Sequence, residues 1–153
     1  MFKLLLFITL CVSLIFYHFA SLGNPHLEIL GDGYMSIYSR QLVDSPYIIR
    51  RHDIATGFIY TTRSYNAPAL RAKFTQIDGE SITLDTYRPK HEILRILRYR
   101  VVHEQRNNIM HITYAYSGRG RDFIRDGDTR INLQISSRAG RVTIGWPVIL
   151  SGF

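Results

Sequence analysis

The sequence contains a single cysteine in 153 residues, and that cysteine, Cys11, lies within an apolar segment at the amino terminus. Residues 24–153 therefore hold no thiol. A chain without thiols has no disulfide, no thiolate metal ligand and no cysteine nucleophile. We expect the fold of this part to depend on packing and hydrogen bonds alone.

Long hydrophobic runs are also scarce, since only one is present, from Leu4 to Tyr17. Lys3 precedes the run and small residues follow it up to Gly23, a pattern typical of a signal peptide cleaved before residue 24. An uncleaved anchor over residues 4–22 is the alternative, because about 17 to 25 residues span a bilayer. A buried core helix is a third interpretation, but the sequence has no second run of this length to pack around it.

The chain is therefore expected to have two parts. Residues 1–23 are predicted to be a signal peptide or membrane anchor, and residues 24–153 a single exported domain. Within that domain, residues 24–87 are predicted to be β-rich and residues 88–153 to form a basic helix plus sheet.

Catalytic motifs are absent as well. His91-Glu92 and His103-Glu104 lack the second histidine of a zinc-protease helix, and the aspartates of residues 122–128 lack the spacing of an EF-hand loop. No nucleophile elbow, P-loop or dinucleotide glycine fingerprint is present. We assign no catalytic residue, metal or cofactor. An extracytoplasmic hydrolase is kept as an alternative, which needs a cleft joining at least two of His52, Asp53, Asp78, Glu80, His91, His103 and His111.

Lysine is rare, since 16 of the 19 cationic side chains are arginine. The net charge is −1 over residues 24–87 and +7 over residues 88–153. A guanidinium binds carboxylate or phosphate through a planar fork that ammonium lacks. A solvated surface with internal ion pairs is the plain interpretation. The functional interpretation is an anion-binding surface in the basic half. It is made by Arg95, Arg98, Arg119, Arg121, Arg125, Arg138 and Arg141, and Arg106 could add to its positive field.

The first half has the short alternating pattern of strands. Residues 34–39 alternate, residues 58–62 are β-branched and aromatic, and residues 71–77 and 81–84 flank Asp78-Gly79. That pair predicts a tight hairpin turn, because Asp-Gly tolerates positive φ angles.

The period then changes. Apolar residues recur at three- and four-residue steps after Pro89 and predict one amphipathic helix from Pro89 to Gln105. Residues 109–116 alternate as a strand, and residues 122–124 are expected to form a short helical turn. Residues 131–135 and 142–146 predict a hairpin joined by residues 136–140, with Trp146 directed into the core. These elements predict an α+β fold in which one amphipathic helix packs on an antiparallel β-sheet, preceded by a signal or anchor helix.

The closing segment resembles the YwmB-like family. The similarity is carried by Asp122-Phe123-Ile124, by Arg130 to Arg138 with its Asn-Leu-Gln strand, and by Val142 to Ile149, and the match lies mainly over residues 110–149. Members of that family are exported or anchored proteins of Gram-positive-type bacteria, with a domain similar in fold to the TATA-box-binding protein. The resemblance implies export and that fold, but fold alone does not confer DNA binding.

Together these features favour a non-enzymatic module that is exported or anchored in the membrane through residues 4–22. Its basic half is expected to bind an anionic lipid, a wall polymer or an acidic protein at the cell envelope. Extracellular nucleic-acid binding through an aromatic-rich sheet is the third hypothesis, and export argues against it unless the nucleic acid lies outside the cell.

Overall fold

The computed structural model describes residues 25–119 and 122–150. The strands in these residues are β1 (Gly33–Ser39), β2 (Arg50–Ile54), β3 (Gly57–Arg63), β4 (Gly79–Leu84), β5 (Arg100–Arg106), β6 (Met110–Tyr116), β7 (Ile124–Asp126), β8 (Thr129–Ile131), β9 (Leu133–Arg138) and β10 (Arg141–Trp146). Eight of them form one sheet in the order β2-β3-β1-β4-β10-β9-β6-β5, and every neighbouring pair is antiparallel. The strands β7 and β8 form a separate two-stranded hairpin.

Short helices accompany the sheet. They are α1 (Ala67–Arg71), α2 (Lys90–Leu97) and two 3-10 helices, Leu27–Leu30 and Ser64–Asn66. Pro68 lies in the first turn of α1 and Pro89 directly precedes α2. Proline is favourable at these places, because its missing amide hydrogen has no partner in the first helical turn.

The two faces of the sheet differ in chemistry. On the inner face, a register row of Met35, Ile82, Ile144 and Ile135 is buried together with residues of the first 3-10 helix and of α2, namely Leu27, Leu30, Ile93 and Leu97. The outer face carries small polar residues at the centre of the sheet: Ser36, Ser81, Thr83, Gln134, Ser136 and Thr143. The core therefore lies between the inner face and the helices.

This arrangement confirms the α+β class, because it consists mostly of an antiparallel sheet, accompanied by two short α-helices. The predicted signal or anchor helix over residues 1–23 lies outside the described residues. Within residues 25–119 and 122–150, no helix combines the length and the apolar character needed to cross a bilayer.

The predicted helix from Pro89 to Gln105 is wrong beyond Leu97. Arg98 adopts a left-handed conformation with φ of 62°, and the amide of Tyr99 donates a hydrogen bond of 3.0 Å to the carbonyl of Leu94. This closing hydrogen bond is typical of a helix C terminus. Residues 100–106 form β5 instead, in agreement with the preference of Val101-Val102 for strands.

Two shorter predictions are also wrong. Residues 71–77 form no strand, because Arg71 ends α1. Asp78-Gly79 forms no hairpin turn either, since the amide of Asp78 donates a hydrogen bond to the carbonyl of Tyr38 and Gly79 begins β4. Residues 122–124 form no helical turn, because Ile124 begins β7 and pairs with Ile131.

The strands predicted around residues 34–39, 58–62 and 109–116 are confirmed as β1, β3 and β6. The hairpin of β9 and β10 is confirmed too, but its loop is only Ala139-Gly140, with φ angles of 48° and 76°. Two-residue turns of this kind fit the twist of the flanking strands. Trp146 is fully buried, as predicted. The hairpin of β2 and β3 was not predicted.

The segment after β10 returns over the outer face at Gly145. A methyl group on Gly145 would lie 2.3 Å from both the amide nitrogen of Ile149 and the carbonyl carbon of Val148. The amide of Ile149 donates a hydrogen bond of 3.1 Å to the side-chain oxygen of Gln134, the register partner of Gly145. Only glycine permits this approach of two backbones.

We predict that Gly145→Ala lowers the free energy of unfolding by about 1–3 kcal/mol, the usual cost of forcing extra atoms into packed structure. Gly118→Ala is the matched control, because its added methyl group would meet nothing within 4 Å. Chemical denaturation of the full-length chain in a mild detergent measures both. Equal stabilities of the two variants would contradict the described return of residues 147–150.

Candidate functional site

The strand register brings two hairpin turns together at one end of the sheet. Met110, the first residue of β6, is opposite Arg138, the last residue of β9, and Arg138 is opposite Arg141 across the next turn. Since neighbouring strands lie about 4.8 Å apart, the two turns are adjacent. We call this region the double-hairpin end and define it by Arg106, residues 107–109, Arg138 and Arg141, whose side chains are exposed.

The other predicted arginines lie elsewhere. Arg95 is in the last turn of α2 and Arg98 directly follows it, so both lie near the start of β5 at the opposite end of the sheet, where Arg119 also follows β6. Arg125 belongs to the separate hairpin of β7 and β8. Arg121 lies outside the described residues. The structure therefore does not bring the predicted arginines into one site, and it joins only Arg138 and Arg141 of that set as a register pair.

Arg138 and Arg141 form a like-charge pair. As direct cross-strand partners they project from the outer face, and like charges directly opposite one another destabilise a sheet. Among the described residues, neither arginine takes part in an ion pair or lies over an aromatic ring. An anion between the two guanidiniums would remove the repulsion.

The hairpin of β7 and β8 contains a second arginine pair, which does have compensation. Arg125 and Arg130 are register partners, and their guanidinium carbons lie 5.7 Å and 4.7 Å from the centre of the Phe123 ring. Asp126 and Asp128 lie in the same hairpin. Stacking on the ring stabilises this pair without a ligand.

A hollow of about 310 Å³ opens at the double-hairpin end and is lined by Gln105, Arg106, Asn107, Met110 and Ile112. The side-chain oxygen of Asn107 accepts hydrogen bonds of 2.9 Å and 2.8 Å from the amides of Ile109 and Met110, which fixes the turn. The hollow therefore combines apolar side chains with polar donors, a mixture typical of small ligand sites.

Ion pairs made by arginine within the described residues involve only Arg40, Arg51, Arg63, Arg71 and Arg88. Near the double-hairpin end, Lys90 and His111 contact the carboxylate of Glu104, and the hydrogen bond from Lys90 holds the pKa of Glu104 below its usual value. Asp85 is paired with Arg63. The carboxylates of Glu104 and Asp85 thus have cationic partners, whereas Arg106, Arg138 and Arg141 form no ion pair among the described residues.

A partly buried cluster of three ionic side chains was not predicted. Arg71, at the end of α1, donates to Glu80 on the inner face of β4 at 2.8 Å and 3.0 Å, and to Glu28 in the first 3-10 helix at 2.8 Å and 2.9 Å. Glu80 is fully buried. Burial by itself would raise the pKa of Glu28, but the hydrogen bonds and charge of Arg71, a backbone hydrogen bond and the charge of His26 together hold that pKa below its usual value.

This Glu28-Arg71-Glu80 cluster is a structural element. The guanidinium of Arg71 forms hydrogen bonds with both carboxylates. Burial lowers the pKa of Arg71, but the hydrogen bonds and charges of Glu28 and Glu80 together raise it above its usual value. Glu80 is the register partner of Trp146, whose indole nitrogen has no hydrogen-bond partner among the described residues. Both carboxylates of the cluster are bound by Arg71.

The residues considered for a hydrolase do not converge within the described part of the chain. None of its ion pairs or hydrogen bonds joins two of His52, Asp53, Asp78, Glu80, His91, His103 and His111. Asp53 pairs with Arg51, Asp78 with Arg40 and Glu80 with Arg71. No group of three or more potential metal ligands occurs in residues 25–119 and 122–150.

No family model matches the chain, and neither a curated protein nor a solved structure matches it. The resemblance to the YwmB-like family therefore stays a prediction.

We predict that Arg71→Met lowers the free energy of unfolding by about 3–5 kcal/mol, because it leaves the buried carboxylate of Glu80 without a counter-charge. Arg51→Met is the matched control. Its partner Asp53 is 60% exposed, so water replaces the lost contact and stability changes little. Chemical denaturation of both full-length variants measures the difference, and similar losses would show that Glu80 does not depend on Arg71.

Proposed function

We propose that the chain is a non-enzymatic module of the cell envelope, exported or membrane-anchored through its amino-terminal segment, and that it binds an anionic partner. Anionic lipid, wall polymer and acidic protein share the negative charge that this function requires. The YwmB-like resemblance, with the export that it implies, is part of the same proposal.

The observation that carries the proposal is the pairing of Arg138 with Arg141. These two arginines are direct cross-strand partners without a described counter-ion, and like charges in this position repel each other. The other cross-strand arginine pair, Arg125 and Arg130, differs because its guanidiniums lie near the ring of Phe123. A bound phosphate, sulfate or carboxylate accepts hydrogen bonds from both guanidiniums. Such a pair is therefore suited to bind an anion.

The surroundings of this pair support the same function. Arg106 and the hollow lined by Gln105 and Asn107 lie in the adjacent hairpin, at the same end of the sheet. The nearby carboxylates of Glu104 and Asp85 are held by Lys90 and Arg63, so neither forms an ion pair with Arg138 or Arg141.

We predict that residue 153 lies outside the cytoplasm. Alkaline phosphatase fused after residue 153 should be active in a bacterial host, and green fluorescent protein fused at the same place should be dark, since each folds on only one side of the membrane. Deleting residues 1–23 should reverse both readouts. A fluorescent fusion of the full-length chain in the soluble fraction would overturn the envelope assignment.

We also predict that Arg106→Gln, Arg138→Gln and Arg141→Gln together weaken binding of dextran sulfate, a soluble anionic polymer, by at least about tenfold, since a cation beside an anionic surface contributes about 1 kcal/mol. Binding is measured by fluorescence anisotropy with the full-length chain in zwitterionic detergent, and added salt should weaken it further.

The matched control removes the same charge from the opposite end of the sheet, with Arg95→Gln, Arg98→Gln and Arg119→Gln. We expect this control variant to bind dextran sulfate nearly as well as the unmodified chain does. Uncharged dextran should bind neither the control variant nor the unmodified chain. Equal weakening by both triple variants would mean that net charge alone governs binding. No binding by the unmodified chain would refute the anionic partner.

A further inference from the structure

The tip of the β5–β6 hairpin presents an exposed apolar side chain. Ile109 is 66% exposed, although its backbone is fixed by the hydrogen bond from its amide to the side chain of Asn107. Fixing the turn in this way presents the side chain of Ile109 to the surroundings at little entropic cost. Binding to a small soluble anion gives no role to such a residue.

Positive charge lies directly beside this tip. Met110, the neighbour of Ile109 in the chain, is the register partner of Arg138, so the Cα atoms of Met110 and Arg138 are about 5 Å apart. Arg141 is next to Arg138, and Arg106 lies on the other side of the turn. The end of the sheet therefore combines one protruding apolar side chain with three arginines that form no ion pair among the described residues.

The hollow adds a third feature to the same region. Its apolar lining comes from Met110 and Ile112, and its polar lining from Gln105, Arg106 and Asn107. A molecule that carries an anionic group next to hydrocarbon matches these two kinds of lining. Anionic phospholipids have this chemistry, with a phosphate at the boundary of the acyl region.

We propose that the double-hairpin end docks on an anionic bilayer surface, with Ile109 inserted at the boundary of headgroups and acyl chains and with Arg138 and Arg141 bound to lipid phosphates. Apolar side chains bury in this boundary while neighbouring cations bind anionic headgroups. The inference rests on the proposed function and deepens it, because it commits the anionic partner to lipid.

The test uses the environment of a tryptophan introduced at the tip. Trp146 is fully buried, so its fluorescence is a constant background that is measured with the unmodified chain. The variant Ile109→Trp is compared with Val101→Trp, which alters a 42% exposed residue near the other end of the same hairpin, about 20 Å away. Both full-length variants are reconstituted in vesicles of brominated phosphatidylcholine, with and without phosphatidylglycerol.

We expect bromine to quench the tryptophan of Ile109→Trp when phosphatidylglycerol is present, and high salt to reverse the quenching. The tryptophan of Val101→Trp should stay unquenched in both kinds of vesicle. Adding Arg138→Gln and Arg141→Gln to Ile109→Trp should raise the phosphatidylglycerol content needed for quenching, because each arginine lost weakens binding about fivefold. Adding Arg95→Gln and Arg98→Gln, which removes the same charge elsewhere, should not.

Each other outcome overturns the inference. Equal quenching at both positions would mean that the protein adsorbs without a preferred end. The tryptophan at position 109 could stay unquenched while dextran sulfate binding still depends on Arg138 and Arg141. This result would identify a soluble anionic partner, so the proposed function would stand and lipid docking would be refuted. Loss of both signals would refute the proposed function as well.

Discussion

A single buried carboxylate constrains much of this structure. Glu80 lies on the inner face of β4 among apolar neighbours, where an uncompensated charge would be very costly. Arg71 neutralises it and also binds Glu28, so the end of α1, the strand β4 and the first 3-10 helix are joined at one guanidinium. Segments that are far apart in sequence thereby acquire fixed positions on the same face of the sheet.

The distribution of ion pairs gives the two halves of the chain different electrostatic roles. Carboxylates of the first half are largely matched by arginines of that half, inside the protein at Arg71 and on its surface at Arg51 and Arg63. Among the described arginines of the second half only Arg88 has such a partner, Glu92, and the strand register places Arg138 beside Arg141.

The sequence allowed prediction of the sheet, but not of the positions that define the candidate site. Alternation identified β1, β6 and the hairpin of β9 and β10, because a half-buried strand requires it. Alternation did not predict the length of the loop between β9 and β10, because Ser136 and Ser137 are as compatible with a loop as with a strand. The pairing of Arg138 with Arg141 was therefore not predicted. The end of α2 was missed because Val101 continues the apolar spacing, and because arginine has no special preference for the left-handed conformation of Arg98. Alternation with Ile82 and Leu84 indicates that Glu80 faces inward, yet nothing local identifies Arg71 as its partner.

The order of the strands leaves two open edges, one at β2 and one at β5. Such edges carry unpaired backbone groups and are templates for aggregation. In β2 every residue is exposed, with Arg50, Arg51 and Asp53 among them, and β5 carries Arg100, Glu104 and Arg106 and is interrupted by an irregularity near Val102. A ninth strand from another molecule would have to desolvate these charges, so the charged side chains disfavour fibre-like self-association at both edges of the described sheet.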